Sequence, residues 1–179
     1  MRAAVFKCVG QPLAIEQRPD PTPGEGEVVL KVCRCGICGT DMAMSDGSGQ
    51  TFEVNSIIGH EFAGEVVAIG KGVETLKVGD PVAAMPFVGC GKCATCLAGR
   101  PNFCAQFRGM PGAFAEYTTT AERVAVKLPK TLSLADGALV EPLAVSLHGV
   151  ALAGIKPGDK VLVIGAGPIG LGAVFWARE

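Results

Sequence analysis

The 179-residue chain is 49% hydrophobic and 18% charged, enough apolar material for one substantial core and too apolar for a disordered chain. A net charge of −1 with no basic run excludes a nucleic acid or an anionic membrane surface as the expected partner. Lys7 falls where a secretory signal would be apolar, and no stretch reaches the roughly 20 apolar residues of a membrane span, so a soluble cytoplasmic protein is expected. From residue 1 to about 130 the chain repeats short β-rich runs closed by Gly, Pro and Asp. These runs are Glu27 to Cys33, Glu61 to Ile69, Pro81 to Met85 and Phe114 to Val126. Their spacing predicts a small barrel or sandwich. After Leu132 the pattern changes. Ser133-Leu134-Ala135-Asp136 reads as a helix cap, and Glu141-Pro142 opens a second helical run that stops at Gly154. Lys156 to Asp159 is a turn, Lys160 to Ile164 reads as a buried parallel-type strand, and Pro168 to Arg178 as a helix.

Three constellations carry chemistry. His60 and Glu61 sit side by side between apolar runs, with Cys38 in the glycine-broken segment Cys35-Gly36-Ile37-Cys38-Gly39-Thr40-Asp41 and a further carboxylate at Glu141. Mixed sulfur, nitrogen and oxygen donors suit zinc better than calcium or magnesium; for the His60–Glu61 pair alone, a buried structural role competes evenly. Cys90, Cys93, Cys96 and Cys104 follow at intervals that close a tetrahedral shell, the pattern of a structural zinc, with Lys92 and Arg100 nearby to offset its negative charge. An iron–sulfur cluster is the rival, but the last interval is long and Ala105, not proline, follows Cys104. Seven of the eight cysteines crowd into two short stretches, which argues for metal rather than a disulfide framework in this compartment. Third, Gly165-Ala166-Gly167-Pro168-Ile169-Gly170 follows the expected strand and opens the expected helix. It is the fingerprint of a pyrophosphate seated on a helix N-terminus.

In this order, with Val78-Gly79-Asp80-Pro81-Val82 and Glu141-Pro142-Leu143 between them, the motifs resemble the medium-chain zinc-dependent alcohol dehydrogenases, in particular the sorbitol and threonine dehydrogenase branch. The resemblance implies a β-rich GroES-like catalytic barrel over residues 1–154, with its linking helices. It also implies the first βα unit of a Rossmann domain over 155–179, a domain that normally takes roughly 100–150 residues, so a truncated chain is expected. It implies two zinc ions per complete chain. Cys38, His60, Glu61 and Glu141 stand at the catalytic zinc; Cys90, Cys93, Cys96 and Cys104 hold the structural one. Thr40 would take the substrate proton, Asp41 would orient the ligand histidine, and NAD or NADP would lie against Gly165, Gly167, Pro168, Ile169 and Gly170. Zinc with one thiolate, one carboxylate and a neutral imidazole is formally neutral and stays Lewis-acidic toward an alcohol. Ala43 stands where many relatives carry a proton-relaying histidine.

The implied reaction is hydride transfer between NAD(P) and a small-molecule alcohol or ketone, with a homo-oligomer expected. Thr40, Met42, Phe52 and Phe87 suggest an apolar surface with a hydroxyl for a small secondary alcohol or its ketone, with polyols and amino alcohols remaining possible. The rival from another class is a non-catalytic, zinc-stabilised GroES-like structural module. His148 is expected to pack structurally, and Cys8, Cys33 and Cys35 to be small buried hydrophobes. Residues 160–178 are expected as a strand and helix against other protein, either the absent cofactor-domain segment or a second copy.

Overall fold

The computed structural model describes residues 1–179. Its centre is a five-stranded antiparallel sheet in the order β8-β3-β4-β5-β9, built from β3 (Glu27–Gly36), β4 (Glu61–Ile69), β5 (Pro81–Ala84), β8 (Tyr117–Ala121) and β9 (Ala125–Lys127). The edge strands β8 and β9 are joined by only the three residues Glu122–Val124. Three residues span about 10 Å at most, whereas the edges of a flat five-stranded sheet lie about 19 Å apart. The sheet is therefore curled into an open half-barrel, which realises the expected barrel. Two short pairs flank it: β1 (Arg2–Val5) with β2 (Ala14–Gln17), and β6 (Phe87–Val88) with β7 (Arg108–Gly109).

Val28, Leu30, Phe62, Val66, Leu76 and Val82 fill the interior of the curl. Val28, Val29 and Leu30 are buried in succession, so β3 is covered on both faces. That is why its sequence reads as a continuous apolar run rather than an alternation. Three helices have eight residues or more, α1 (Gly39–Asp46), α4 (Val140–Ala153) and α5 (Pro168–Trp176), and two are single four-residue turns, α2 (Ala94–Leu97) in the cysteine lobe and α3 (Leu134–Gly137). Ser133 Oγ accepts the Asp136 amide at 3.0 Å, and Gly154 closes α4 at φ 63°, as the capping residues predict. No helix is long and apolar enough to cross a membrane.

Several expectations fail in detail. Phe114 to Val126 is not one strand but β8, a 3₁₀ turn and β9, because the edge-to-edge crossing falls inside it. Lys160 to Ile164 is extended but forms no ladder, with Leu162 and Ile164 83% and 91% exposed; a strand exists only by pairing, and no neighbouring strand lies beside this one. The helix after it does form and packs on α4, where Trp176 Nε1 donates to the Leu143 carbonyl at 2.9 Å and Ser146 Oγ to the Ile169 carbonyl at 3.1 Å. Cys8 and Cys33 are exposed rather than buried. Cys33 is the extra residue of a bulge between the pairs Val32↔Gly64 and Arg34↔Ala63, which turns it out of the core. His148 is exposed on α4 and not packed.

Candidate metal centre and active site

Strand pairing assembles the first cluster. Gly36, the last residue of β3, pairs with Glu61, the first of β4. Cys38 lies two residues beyond one and His60 one residue before the other, so the ladder brings all three side chains to one point. A Cβ at Gly36 would run into the Glu61 carboxylate, and its absence makes room for that side chain. The ligand atoms of Cys38, His60 and Glu61 all lie within 4.8 Å of one another.

Asp41, buried in the first turn of α1, ties two of these residues together. Its Oδ2 accepts the Cys38 amide at 2.9 Å, and its Oδ1 faces His60 Nδ1 at 3.5 Å. That distance is too long for a full hydrogen bond, and Oδ1 is buried with no other partner. A proton on Nδ1 would satisfy this carboxylate and leave Nε2 as the free, unprotonated nitrogen, the tautomer a metal ligand needs. The donor set therefore fits zinc. Without metal, the Asp41 carboxylate holds the His60 imidazolium up at about 9, against the burial that lowers it and with help from Cys38.

Glu141 is not within the cluster's ligand distance, but it lines the same cavity as His60. Burial pushes its carboxyl above the ordinary range, with His60 opposing and Glu61 and Asp41 adding to the rise. Cys35 stands outside the cluster, and burial, reinforced by the Asp41 charge, pushes its thiol up to about 12. It remains protonated at neutral pH, and its position outside the cluster, not its protonation, sets it apart from the ligand candidates.

The cavity in front of His60 measures about 1080 Å³. Thr40 and Phe52 line it as expected, whereas Met42 and Phe87 do not. Arg18, Thr51, Glu53, Asn55 and Ser56 add polar side chains to its wall, although apolar atoms still make up most of the surface. Apart from Phe52, sequence reasoning missed these residues. Their one local signal is Asn55, which adopts φ 71°, a conformation asparagine tolerates better than most residues.

The second cluster is separate. Cys90, Cys93, Cys96 and Cys104 hold their sulfurs within 4.8 Å of one another, and none is in a disulfide. The Cys90 and Gln106 amides donate to Cys104 Sγ and the Cys93 amide to Cys90 Sγ, each at 3.3 Å. Amides aimed at sulfur favour thiolates over thiols. The Thr95 hydroxyl and the Cys96 amide hold Cys93 down at about 6, while burial pushes Cys96 up to about 11. Four sulfurs with amide donors and no open side fit a closed tetrahedral zinc. The glycine segment is exposed: Gly165 takes φ 111°, Gly167 caps α5 and Pro168 occupies its first turn, with Ile169 and Gly170 following.

Residues 24–130 match the alcohol dehydrogenase GroES-like domain. The chain belongs to that family. It is 42% identical to L-galactonate-5-dehydrogenase of Escherichia coli K12, covering 93% of this chain and 50% of that protein. It is 39% identical to sorbitol dehydrogenase of Bacillus subtilis, covering 99% and 52%. The structure of acetophenone reductase from Geotrichum candidum in complex with NAD superposes with a TM-score of 0.91 at 33% identity, covering 99% of this chain and 54% of that one. The chain spans about half the length of the curated relatives it matches, and the resemblance to medium-chain zinc-dependent alcohol dehydrogenases holds.

Proposed function

We propose that the chain carries the catalytic half of a zinc-dependent, NAD(P)-linked dehydrogenase acting on a secondary alcohol that bears further hydroxyl groups. Residues 1–154 form the zinc-binding catalytic unit and 155–179 begin the dinucleotide-binding one, with Gly165, Gly167, Pro168, Ile169 and Gly170 facing the pyrophosphate. The observation that carries the reading is Asp41, a buried carboxylate reaching both Cys38 and His60 at the mouth of a cavity. A structural module needs one closed metal site, not a second, open one held this way.

Cys38, His60 and Glu61 would hold the catalytic zinc, with Glu141 close enough to the cavity to exchange with it; Cys90, Cys93, Cys96 and Cys104 would hold the structural one. When bound, zinc supplies Lewis acidity toward the alcohol and the nicotinamide accepts the hydride. Asp41 fixes the His60 tautomer. Thr40, exposed at the cavity, accepts the substrate proton at Oγ1 and passes it towards solvent without a histidine at position 43. Relatives named for L-galactonate and sorbitol, with the polar side chains of Arg18, Thr51, Glu53, Asn55 and Ser56 at the cavity, favour a polyol or sugar acid over a small apolar alcohol. A cytoplasmic homo-oligomer completes the reading.

Elemental analysis of the zinc-loaded chain tests it. Two zinc ions per chain are expected, with Cys93→Ser and His60→Ala each removing a different one. One zinc or fewer in wild type would reject the two-site reading.

A further inference from the structure

We propose that Arg123 is a positioning residue for the tetrathiolate lobe, delivering its positive charge to the Cys104 sulfur through the peptide group between Gly89 and Cys90. The inference rests on the reading of Cys90, Cys93, Cys96 and Cys104 as a zinc site. Arg123 Nε and Nη2 both donate to the Gly89 carbonyl oxygen, at 3.1 and 2.6 Å. The N–H of that same peptide group belongs to Cys90 and donates to Cys104 Sγ at 3.3 Å. Two cationic donors on the oxygen draw electron density across the amide, and the N–H on its far side becomes a stronger donor to sulfur.

The charge of Arg123 is free for this task. Its guanidinium makes no ion pair within 4.0 Å, and the adjacent carboxylate of Glu122 turns away to the amides of Glu74, Thr75 and Leu76. The lobe backbone is pressed against its own sulfurs at this point. A Cβ on Gly89 would lie 2.6 Å from Cys96 Sγ, and one on Gly91 would lie 3.5 Å from Arg123 Cδ. A zinc tetrathiolate carries a net double negative charge, and outer hydrogen bonds to ligands commonly control metal affinity by tenfold or more. Lys92 and Arg100 were the cations suggested by sequence proximity, yet the residue that bonds to the lobe backbone comes from the turn between β8 and β9, on the sheet.

The test is zinc competition with a chromophoric chelator on the zinc-loaded chain, comparing wild type with Arg123→Gln and Arg123→Lys. In Arg123→Gln the closed-site affinity should fall about 10–100-fold, the range for loss of such an outer partner. Arg123→Lys retains the charge without the two-pronged donor and should fall between. Zinc at the Cys38–His60 site should be unaffected by either change. In cobalt-substituted protein the sulfur-to-metal charge-transfer band should move in Arg123→Gln, a response that simple loosening of the turn would not give. Wild-type affinity and an unmoved band in both variants would overturn the proposal. Should Arg123→Gln fail to fold, Arg123→Lys decides alone, since wild-type affinity there would show that the paired donors do not matter. A wild-type chain that holds no zinc on the four cysteines would instead reject the zinc reading, and this inference with it.

Discussion

Replacing Asp41 by Asn tests the link between the two ligands of the open site. The substitution keeps the shape of a side chain that is 3% exposed and removes its charge, leaving one acceptor for the Cys38 amide. In the metal-free wild type His60 titrates at about 9 instead of 6.5, chiefly through Asp41. Each pKa unit is about 1.4 kcal/mol, so the interaction of imidazolium with its surroundings amounts to about 3 kcal/mol at most, reduced by solvent screening at this half-buried position. Because the folded value is raised, this contribution to metal-free stability is full below pH 6.5 and disappears as pH rises through 9. At pH 7 zinc must displace a proton held about two units above ambient, which opposes binding by about 2.7 kcal/mol. In Asp41→Asn the burial that lowers the imidazole is opposed only by Cys38, and His60 should titrate well below about 9. NMR titration of the metal-free chain reads this directly, since His60 and His148 are its only histidines. Zinc retention should nevertheless fall about 10–100-fold, because the imidazole loses its orienting partner. A His60 titration unmoved in Asp41→Asn would refute the reasoning.

Three further outcomes are expected. Cys93→Ser should lower the melting temperature of the zinc-loaded chain markedly, whereas His60→Ala should leave it nearly unchanged, since a structural zinc contributes folding free energy; equal losses in thermal melts would contradict the division between sites. Glu122 is pushed up by burial, but the Thr75, Leu76 and Glu74 amides and the Thr75 hydroxyl outweigh this and hold its carboxyl at about 2. Its contribution is therefore complete above pH 4.5 and lost as pH falls towards 2. Glu122→Gln should cost about 1–3 kcal/mol at pH 7 and converge with wild type near pH 2 in urea titrations, and a constant difference across that window would count against the assignment. Gly59→Ala should destabilise by at least about 1–2 kcal/mol from its left-handed backbone, because Gly59 takes φ 92° and a Cβ there would lie 2.5 Å from the Phe114 ring. A neutral result by thermal melt would show that the backbone can relax.

What could be read from the chain alone followed how local the information was. Glu61–Ile69 was legible to the residue because a glycine-flanked ligand pair stops it at one end and Gly70 at the other. The α4 boundaries rest on Pro142 and Gly154, both of which act within one turn. The four-cysteine lobe was legible because all its ligands come from one short loop. Phe114 to Val126 was misread because curling of the whole sheet, not any residue inside the run, breaks it there. Lys160 to Ile164 has strand composition, but pairing depends on a neighbour that its own sequence does not specify. The cavity wall at Arg18 and Thr51 to Ser56 was invisible for the same reason: the two segments are distant in sequence and lack a motif. Arg123 likewise lies 34 residues from the carbonyl it holds.

The two clusters differ in how they are held, and the difference matches what the proposed function would ask of each. Around Cys104 the partners are backbone amides and, through a peptide group, a cation; all of them favour negative charge on sulfur and none can accept a proton. Four thiolates held in this way leave a metal little Lewis acidity and no free position, which suits a site that only fixes a loop. Around His60 the partner is an anion, and it stands behind an imidazole rather than facing the metal position. A carboxylate there raises the basicity of the ligand nitrogen and fixes its direction without adding to the charge at the metal itself. Cys38, Glu61 and a neutral His60 would leave zinc formally neutral, able to draw charge from an alcohol in the adjoining cavity. On the proposed reading the same metal would be inert in one lobe and reactive at the end of a strand pair, because the groups behind the ligands differ in sign.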